Sequence, residues 1–356
     1  MAPVSHLPAS ILIVRLGAIG DVTNALVLAT AIKDAAPQTR IGWAVHGLAA
    51  PLVHNHPAVD RVHVWERGQG VAGWKRVRDE VRAEGYELAV DLQRLFKSAL
   101  LARASGAPRV LGFDRARTKE CSWLFTRERI AVGPKRAHMV DQYLEFARHL
   151  GLDEARARHV LPTDPDAEAW ARGQVEAWGA PPWILNLGAS KPANRWPAER
   201  FGQLARSLAQ KWNAPIVLTG GGEDHGGAQV ALAAGPEGVV DLVGKTSLEQ
   251  LIALLGHARL FVGCDTGPMH LAVAQQVPVL ALFGPADPAR TGPFGDHARV
   301  VREPQWEPHA PFSPTTMEAL GVESVIEAIR ELDGIGSGES AAGSQGAMEC
   351  DGAANG

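Results

Sequence analysis

Two short stretches carry polar groups that a buried strand has no use for. In "RLGAIGDV" (15–22) an apolar run ends in Gly17-x-x-Gly20-Asp21. In "CDTGPMH" (264–270) another ends in Asp265-Thr266-Gly267-Pro268, with His270 two residues on. Each turn opens a helix, and a helix N-terminus leaves backbone N–H groups free to meet an anion or a capping carboxylate. Pro268 fits the first helical position, which makes Gly267 the expected N-cap and His270 the third helical residue. The N–H groups of Met269 and His270 then face whatever sits at the strand end. That field suits a diphosphate, to which His270 can donate a further hydrogen bond. Asp265 repels such a ligand and suits sugar hydroxyls or the turn itself. Asp21 stands where a general base would be placed, yet an acid in the first turn is also what a helix N-terminus takes. The motif alone leaves both readings open, as it does a capped helix with a packed histidine at 264–270.

Two further turns add to the second stretch. "NLGASKPANRWPAERF" (186–201) brings Ser190, Lys191 and Arg195, a hydroxyl and two cations, to a strand end. "LTGGGEDHGG" (218–227) is a glycine-rich turn with Glu223, an acid able to hold ribose hydroxyls where the backbone approaches closely. Taken together, Ser190, Lys191, Arg195, Glu223, Asp265, Thr266, Gly267 and His270 suit a nucleotide diphosphate. A nicotinamide dinucleotide fits poorly, because Gly17-x-x-Gly20 is not G-x-G-x-x-G and the second strand ends in Val45-His46 without an acid. "LVGKTS" (242–247) resembles the end of a P-loop, but the spacing needs Gly where Val239 stands. "HNH" (54–56) lacks a matching further ligand and reads as a solvated loop. No metal and no cofactor are expected.

These turns must be held by a scaffold, and the pattern supplies one. Short apolar runs alternate with amphipathic segments, as in an α/β fold with parallel sheets. Strands are expected at 11–16, 40–45, 61–66, 88–92 and 109–113, then at 183–188, 215–220, 238–244, 260–265 and 277–284. Helices are expected at 22–35, 166–178, 197–212, 225–234, 247–256, 268–275 and 322–332, with "WKRVRDEVR" (74–82) as the solvated face of another. Five strands on either side of the polar segment 161–182 predict two Rossmann-like domains. Residues 1–165 and 166–332 form them, and a ligand lies between. The Gly-, Ser- and Ala-rich tail, 333–356, is expected to be disordered.

The chain has 356 residues and a formal charge of −4, which excludes a global electrostatic footprint for nucleic acid. No apolar run approaches the ~20 residues of a membrane span, and 11–14 is too short for a signal peptide. Three cysteines, Cys121, Cys264 and Cys350, share no metal-like or redox spacing and read as reduced thiols. A cytoplasmic protein is expected.

From about Ile11 to Leu332 the chain resembles glycosyltransferase family 9, the bacterial ADP-heptose:lipopolysaccharide heptosyltransferases, and among them the inner-core enzymes. The resemblance rests on "LGAIGDV", "LGASKPANRWPAERF" and above all "DTGPMHLAVAQQVPVLALFGPADPARTGPFG" (265–295). "DLQRLFKSALLAR" (91–103), "GFDRARTKE" (112–120) and "HMVDQYL" (138–144) give weaker support. It implies the glycosyltransferase B fold, with acceptor on the N-terminal domain and ADP-heptose on the C-terminal one. It also implies an inverting, metal-independent transfer with Asp21 as base. The acceptor, an inner-core lipopolysaccharide, would be met by Gly20, Arg94, Lys97, Arg117 and Lys119, with peripheral contact on the inner face of the inner membrane. This chain has Asn194-Arg195-Trp196-Pro197 where relatives commonly read Lys-Arg-Trp-Pro, which leaves Lys191 as the nearby cation. Two rival readings are a sugar-nucleotide epimerase on the same fold and a non-catalytic sugar-nucleotide-binding protein.

Overall fold

A computed structural model describes residues 7–66, 68–212, 214–305 and 315–336, and shows two six-stranded sheets in which every pairing is parallel. The first sheet holds β1 (Ser10–Val14), β2 (Arg40–Val45), β3 (Arg61–Val64), β4 (Leu88–Asp91), β5 (Arg109–Gly112) and β6 (Glu128–Arg129), in the order β3-β2-β1-β4-β5-β6. The second holds β7 (Trp183–Asn186), β8 (Ile216–Thr219), β9 (Val240–Asp241), β10 (Leu260–Cys264), β11 (Val279–Leu282) and β12 (Ala298–Val301), in the order β12-β11-β10-β7-β8-β9. The central strands β1, β4, β7 and β10 are buried along their whole length, which is why they read as unbroken apolar runs.

Each sheet runs outward on one side of its first strand and then restarts on the other. The switch points therefore lie between β1 and β4 and between β7 and β10, where open α/β sheets bind ligands beyond the strand ends. The turns and helix starts carrying Asp21, Arg94, Ser190 and Asp265 follow those four strands.

The helices are α1 (Ile19–Ala35), α2 (Gly70–Ala83), α3 (Phe96–Ala104), α4 (Met139–His149), α5 (Pro165–Trp178), α6 (Ala198–Trp212), α7 (His225–Ala234), α8 (Leu248–Gly256), α9 (Gly267–Ala274), α10 (Pro288–Thr291) and α11 (Val322–Gly336). Eleven of the 17 residues of α1 are buried, and its apolar residues run around the whole helix. A helix apolar on all sides must be enclosed, and α1 is, packing on α4 and on α9 of the other sheet. One apolar cluster thereby joins the sheets, from Leu26 and Trp43 to Met269 and Leu271.

Four expectations are corrected. Each sheet has six strands where five were expected, because β6 and β12 join the edges. The strand expected at 238–244 keeps two residues in the ladder. Thr266 is the N-cap of α9, in extended conformation, so the helix starts at Gly267, one residue early. Residues 333–336 belong to α11 and not to a disordered tail; the rest of that tail, 337–356, and Cys350 with it, lies outside the described residues.

Candidate functional site

Beyond β1 the chain turns through Arg15 and Leu16 into α1. Trp43 Nε1 donates to the Arg15 carbonyl at 3.1 Å, and the Leu16 N–H donates to Gln93 Oε1 at 2.8 Å, which ties the turn to β2 and β4. Arg15 is 5% exposed and ion-pairs with Asp21. Burial opposes the charge of Arg15, but Tyr143, Asp21 and Asp91 together hold its guanidinium above the ordinary value. The Asp21 carboxylate also accepts the Ala18 N–H at 3.3 Å, an acid at the third helical position reaching back to the N-cap backbone. Its side chain nevertheless remains 40% exposed. Capping and access to the cleft thus coexist in one carboxylate.

The N-terminus of α9 faces the N-terminus of α1 across the domain boundary. A Cβ at Gly20 would collide with the His270 ring, and one at Gly267 would sit 2.8 Å from Ile19 Cβ, so both glycines are needed for this approach. His270 is buried, and its Nδ1 lies 3.3 Å from Asn24 Nδ2. Burial first, then the neighbouring His138, pushes its pKa down to about 3 against the pull of Asp21. The ring is neutral at pH 7. With Nδ1 accepting from Asn24, Nε2 carries the proton and is the donor left for a ligand. Asp265 is pushed the other way, up to about 6, by burial and then by the charge of Asp21, while Lys191 and a hydrogen bond from Ser190 oppose the shift.

The loop after β7 closes on the same point. The Ser190 N–H donates to the Asp265 carbonyl at 3.1 Å. Asn194, buried, donates from Nδ2 to Asp265 Oδ2 at 3.2 Å and reaches Ser190 Oγ at 3.4 Å. At 194, where the resemblance leads to the expectation of a lysine, an amide braces Asp265, while Lys191 stays exposed with its charge felt at Asp265. Arg195 pairs at 2.6 Å with Asp224, itself 1% exposed and accepting the Gly221 N–H at 2.9 Å. It reaches the site as half of an ion pair. Glu223, next to that buried acid, is exposed at the glycine-rich turn.

On the other sheet, Arg94 and Lys119 meet. The Lys119 N–H donates to the Arg94 carbonyl at 3.0 Å, Arg94 has a left-handed φ of 68°, and its guanidinium lies 4.9 Å from the Phe113 ring. Burial, then Arg290 and Arg94, pushes the Lys119 amine down, and Asp21 counters this. Lys97 is exposed and lines a pocket of about 520 Å³ with Trp65, Trp74 and Phe96. Arg117 is a correction. Its side chain is 1% exposed, and its nitrogens are taken by Asp114, by Glu145 at 2.6 and 2.9 Å and by the Ala131 carbonyl at 3.1 Å. It braces its own domain and is closed to an acceptor.

His56 is also internal, bonding the Val160 carbonyl at 3.0 Å and accepting the Ala58 N–H at 3.1 Å. Among the described residues no group of three or more His, Cys, Asp or Glu side chains is arranged to hold a metal ion. Residues that the sequence reading did not assign to the site include Arg15, Asn24, Asn194 and Arg290. Arg15 and Asn24 carried a signal, being polar residues one strand end and one helical turn from Asp21; Asn194 showed only as a departure from a pattern.

Residues 74–319 match the model of glycosyltransferase family 9 (heptosyltransferase). The lipopolysaccharide core heptosyltransferase OpsX of Haemophilus influenzae is 26% identical over 299 residues, 83% of this chain and 84% of that one. Among solved structures, a glycosyltransferase family 9 protein from Veillonella parvula superposes with a TM-score of 0.82 at 22% identity, covering 92% of this chain and 98% of the other. The E. coli heptosyltransferase WaaC with ADP does so with a TM-score of 0.75 at 25% identity, covering 91% and 99%.

Proposed function

This chain belongs to glycosyltransferase family 9, and from that premise we propose its reaction and the residues that carry it. The chain is a glycosyltransferase that moves heptose from ADP-heptose onto the inner core of lipopolysaccharide; the epimerase and non-catalytic readings are set aside. Residues 1–165 form the acceptor unit and 166–332 the donor unit. That division is supported by α5, which starts at Pro165 and packs on α8, and by Arg158, which still pairs with Asp34.

The observation that carries the mechanism is the meeting of Asp21 with the α9 N-terminus across two topological switch points. Asp21 takes the proton of an acceptor hydroxyl while that oxygen attacks the anomeric carbon. The bond from that carbon to the diphosphate oxygen breaks on the opposite face, so the configuration inverts and ADP leaves with the electron pair. Charge developing on the diphosphate is met by the free N–H groups of α9, by Ser190, by Lys191 and by His270 Nε2–H. Cations and backbone dipoles, with no bound metal, do this work. Arg195 positions the turn through Asp224. Asp265 and Thr266 face the donor sugar, and Glu223 its ribose. Arg94 and Lys119 meet acidic groups of the acceptor; Gly20, expected among the acceptor-binding residues, is instead buried against the His270 ring.

Among the described residues no helix is long and apolar enough to cross a membrane. We place the enzyme at the inner leaflet peripherally. Support comes from exposed Val71 and Phe96 on the acceptor unit, which line the same pocket as Lys97.

The test is a mass-spectrometric transfer assay with ADP-heptose and a heptose-free Kdo-lipid A, in detergent and in vesicles. Addition of one heptose, dependent on acceptor, is expected. Intact ADP-heptose would overturn the function, and turnover in detergent without turnover on vesicles would overturn the membrane contact.

A further inference from the structure

Buried guanidinium groups rarely go without partners, because a desolvated donor left unpaired is costly. At the cleft, Arg15, Arg94 and Arg290 each have a solvent-shielded Nε with no hydrogen-bond partner, and the Tyr143 hydroxyl has none either. These groups are neighbours. Arg15 pairs with Asp21, and Arg94 holds Lys119 through its carbonyl. Arg94 Nη2 lies 3.7 Å from Met139 Sδ. The residue before Met139, His138, bonds the Gly292 carbonyl at 2.9 Å, two residues past Arg290. Asp287, three residues before Arg290, pairs with Arg136 at 3.0 Å. These two cross-domain contacts fix α10, and Arg290 with it, over the acceptor side of the cleft. The charge of Arg290 is felt at Arg94, Lys119 and Tyr143.

The charge balance points to a ligand. Five cations, Arg15, Arg94, Lys119, Lys191 and Arg290, stand against three carboxyl groups, Asp21, Asp91 and Asp265; Arg15 already engages Asp21, and burial disfavours the charge of the other two. Such a surplus at a cleft calls for an oxyanion.

We propose that Arg290, supplied by the donor unit, completes with Arg94 and Lys119 a pocket for the acid group of the acceptor, and so determines which acceptors are used. This rests on the acceptor reading above. The oxyanion source is the acceptor, because Arg94 and Lys119 stand on the acceptor sheet, while the diphosphate has the α9 N-terminus, Ser190 and Lys191. The pocket is complete only when both domains are apposed, as the contacts of α10 with Arg136 and His138 hold them.

Binding and turnover are read separately. Calorimetry with Kdo-lipid A in detergent, with its carboxyl methyl ester and with ADP is run on wild type, Arg290→Ala and Arg290→Lys. Unchanged melting temperatures establish that the variants fold. Arg290→Ala is expected to weaken the acidic acceptor at least about tenfold, the loss typical of one charge-assisted hydrogen bond. Arg290→Lys recovers part of it, ADP binds all three alike, and the ester binds wild type and Arg290→Ala equally. A drop in ADP affinity with acceptor affinity unchanged would assign the oxyanion to the donor and overturn the proposal, as would unchanged affinity for both. Absence of transfer by wild type that still shows this binding pattern would overturn the reaction and leave the pocket standing.

Discussion

Asp21 and Asp265 face each other across the domain boundary, and their surroundings fit them for different work. The Asp21 side chain is 40% exposed and held by Arg15, while Asp265 is half-buried, braced by Asn194 and pushed up to about 6 by desolvation and then by Asp21. A carboxyl whose folded pKa exceeds its unfolded value near 4 binds more protons when folded. Stability is therefore lost as pH rises from about 4 through 6 and stays lost above it. Asp265→Asn should raise the calorimetric melting temperature at pH 7.5, by about 1–3 °C for an effect on the order of 1 kcal/mol, with no gain at pH 4. An equal gain at both values would show that the charge is not the cause. At this scale the sequence shows which residues stand at strand ends, hence Asp21, Ser190, Lys191, Asp265 and His270. It does not show partners. Arg117 looked as available as Lys119 until Glu145, on a helix distant in sequence, was seen to occupy it.

The decisive element contact is α1 against α9, made where Gly20 and Gly267 leave no side chain between the backbones. Helix propensity alone says that Gly20→Ala stabilises by roughly 0.5–1 kcal/mol. The collision with the His270 ring says the opposite, a loss of about 1–3 kcal/mol. Urea unfolding decides the sign. The contact argument also expects Gly20→Ala with His270→Ala to cost less than the sum of the single changes, and additivity would contradict it. Elements with strong periodicity were legible: ten strands and the helices at 166–178, 197–212 and 225–234 lie close to their expected places. The missing strands lacked the signal. β6 is two polar residues, Glu128 and Arg129, and β12 is three half-buried residues and a buried Val301 that gain their pairing only from β11. The start of α9 was misjudged by one residue because Gly267 and Thr266 can both cap, and the extended Thr266 does so here.

For the whole molecule, the division of labour between sheets makes the strongest claim. On the proposed mechanism, the β1/β4 switch point carries the base and the acceptor cations, and the β7/β10 switch point the groups for the diphosphate. Two α/β units were legible from the alternation of runs and turns. Their mutual placement was not, since it depends on α1 being buried on every side and on Asn24 meeting His270, a pair 246 residues apart. If chemistry and donor binding are housed in different units, they must separate experimentally. The measurement is single-turnover transfer by Asp21→Asn beside calorimetric ADP binding to the same protein. The prediction is a rate lowered about 10²–10⁴-fold, the range of a lost general base, with ADP affinity within about twofold of wild type. A rate close to wild type, or a loss of ADP affinity as large as the loss of rate, would contradict Asp21 as the base.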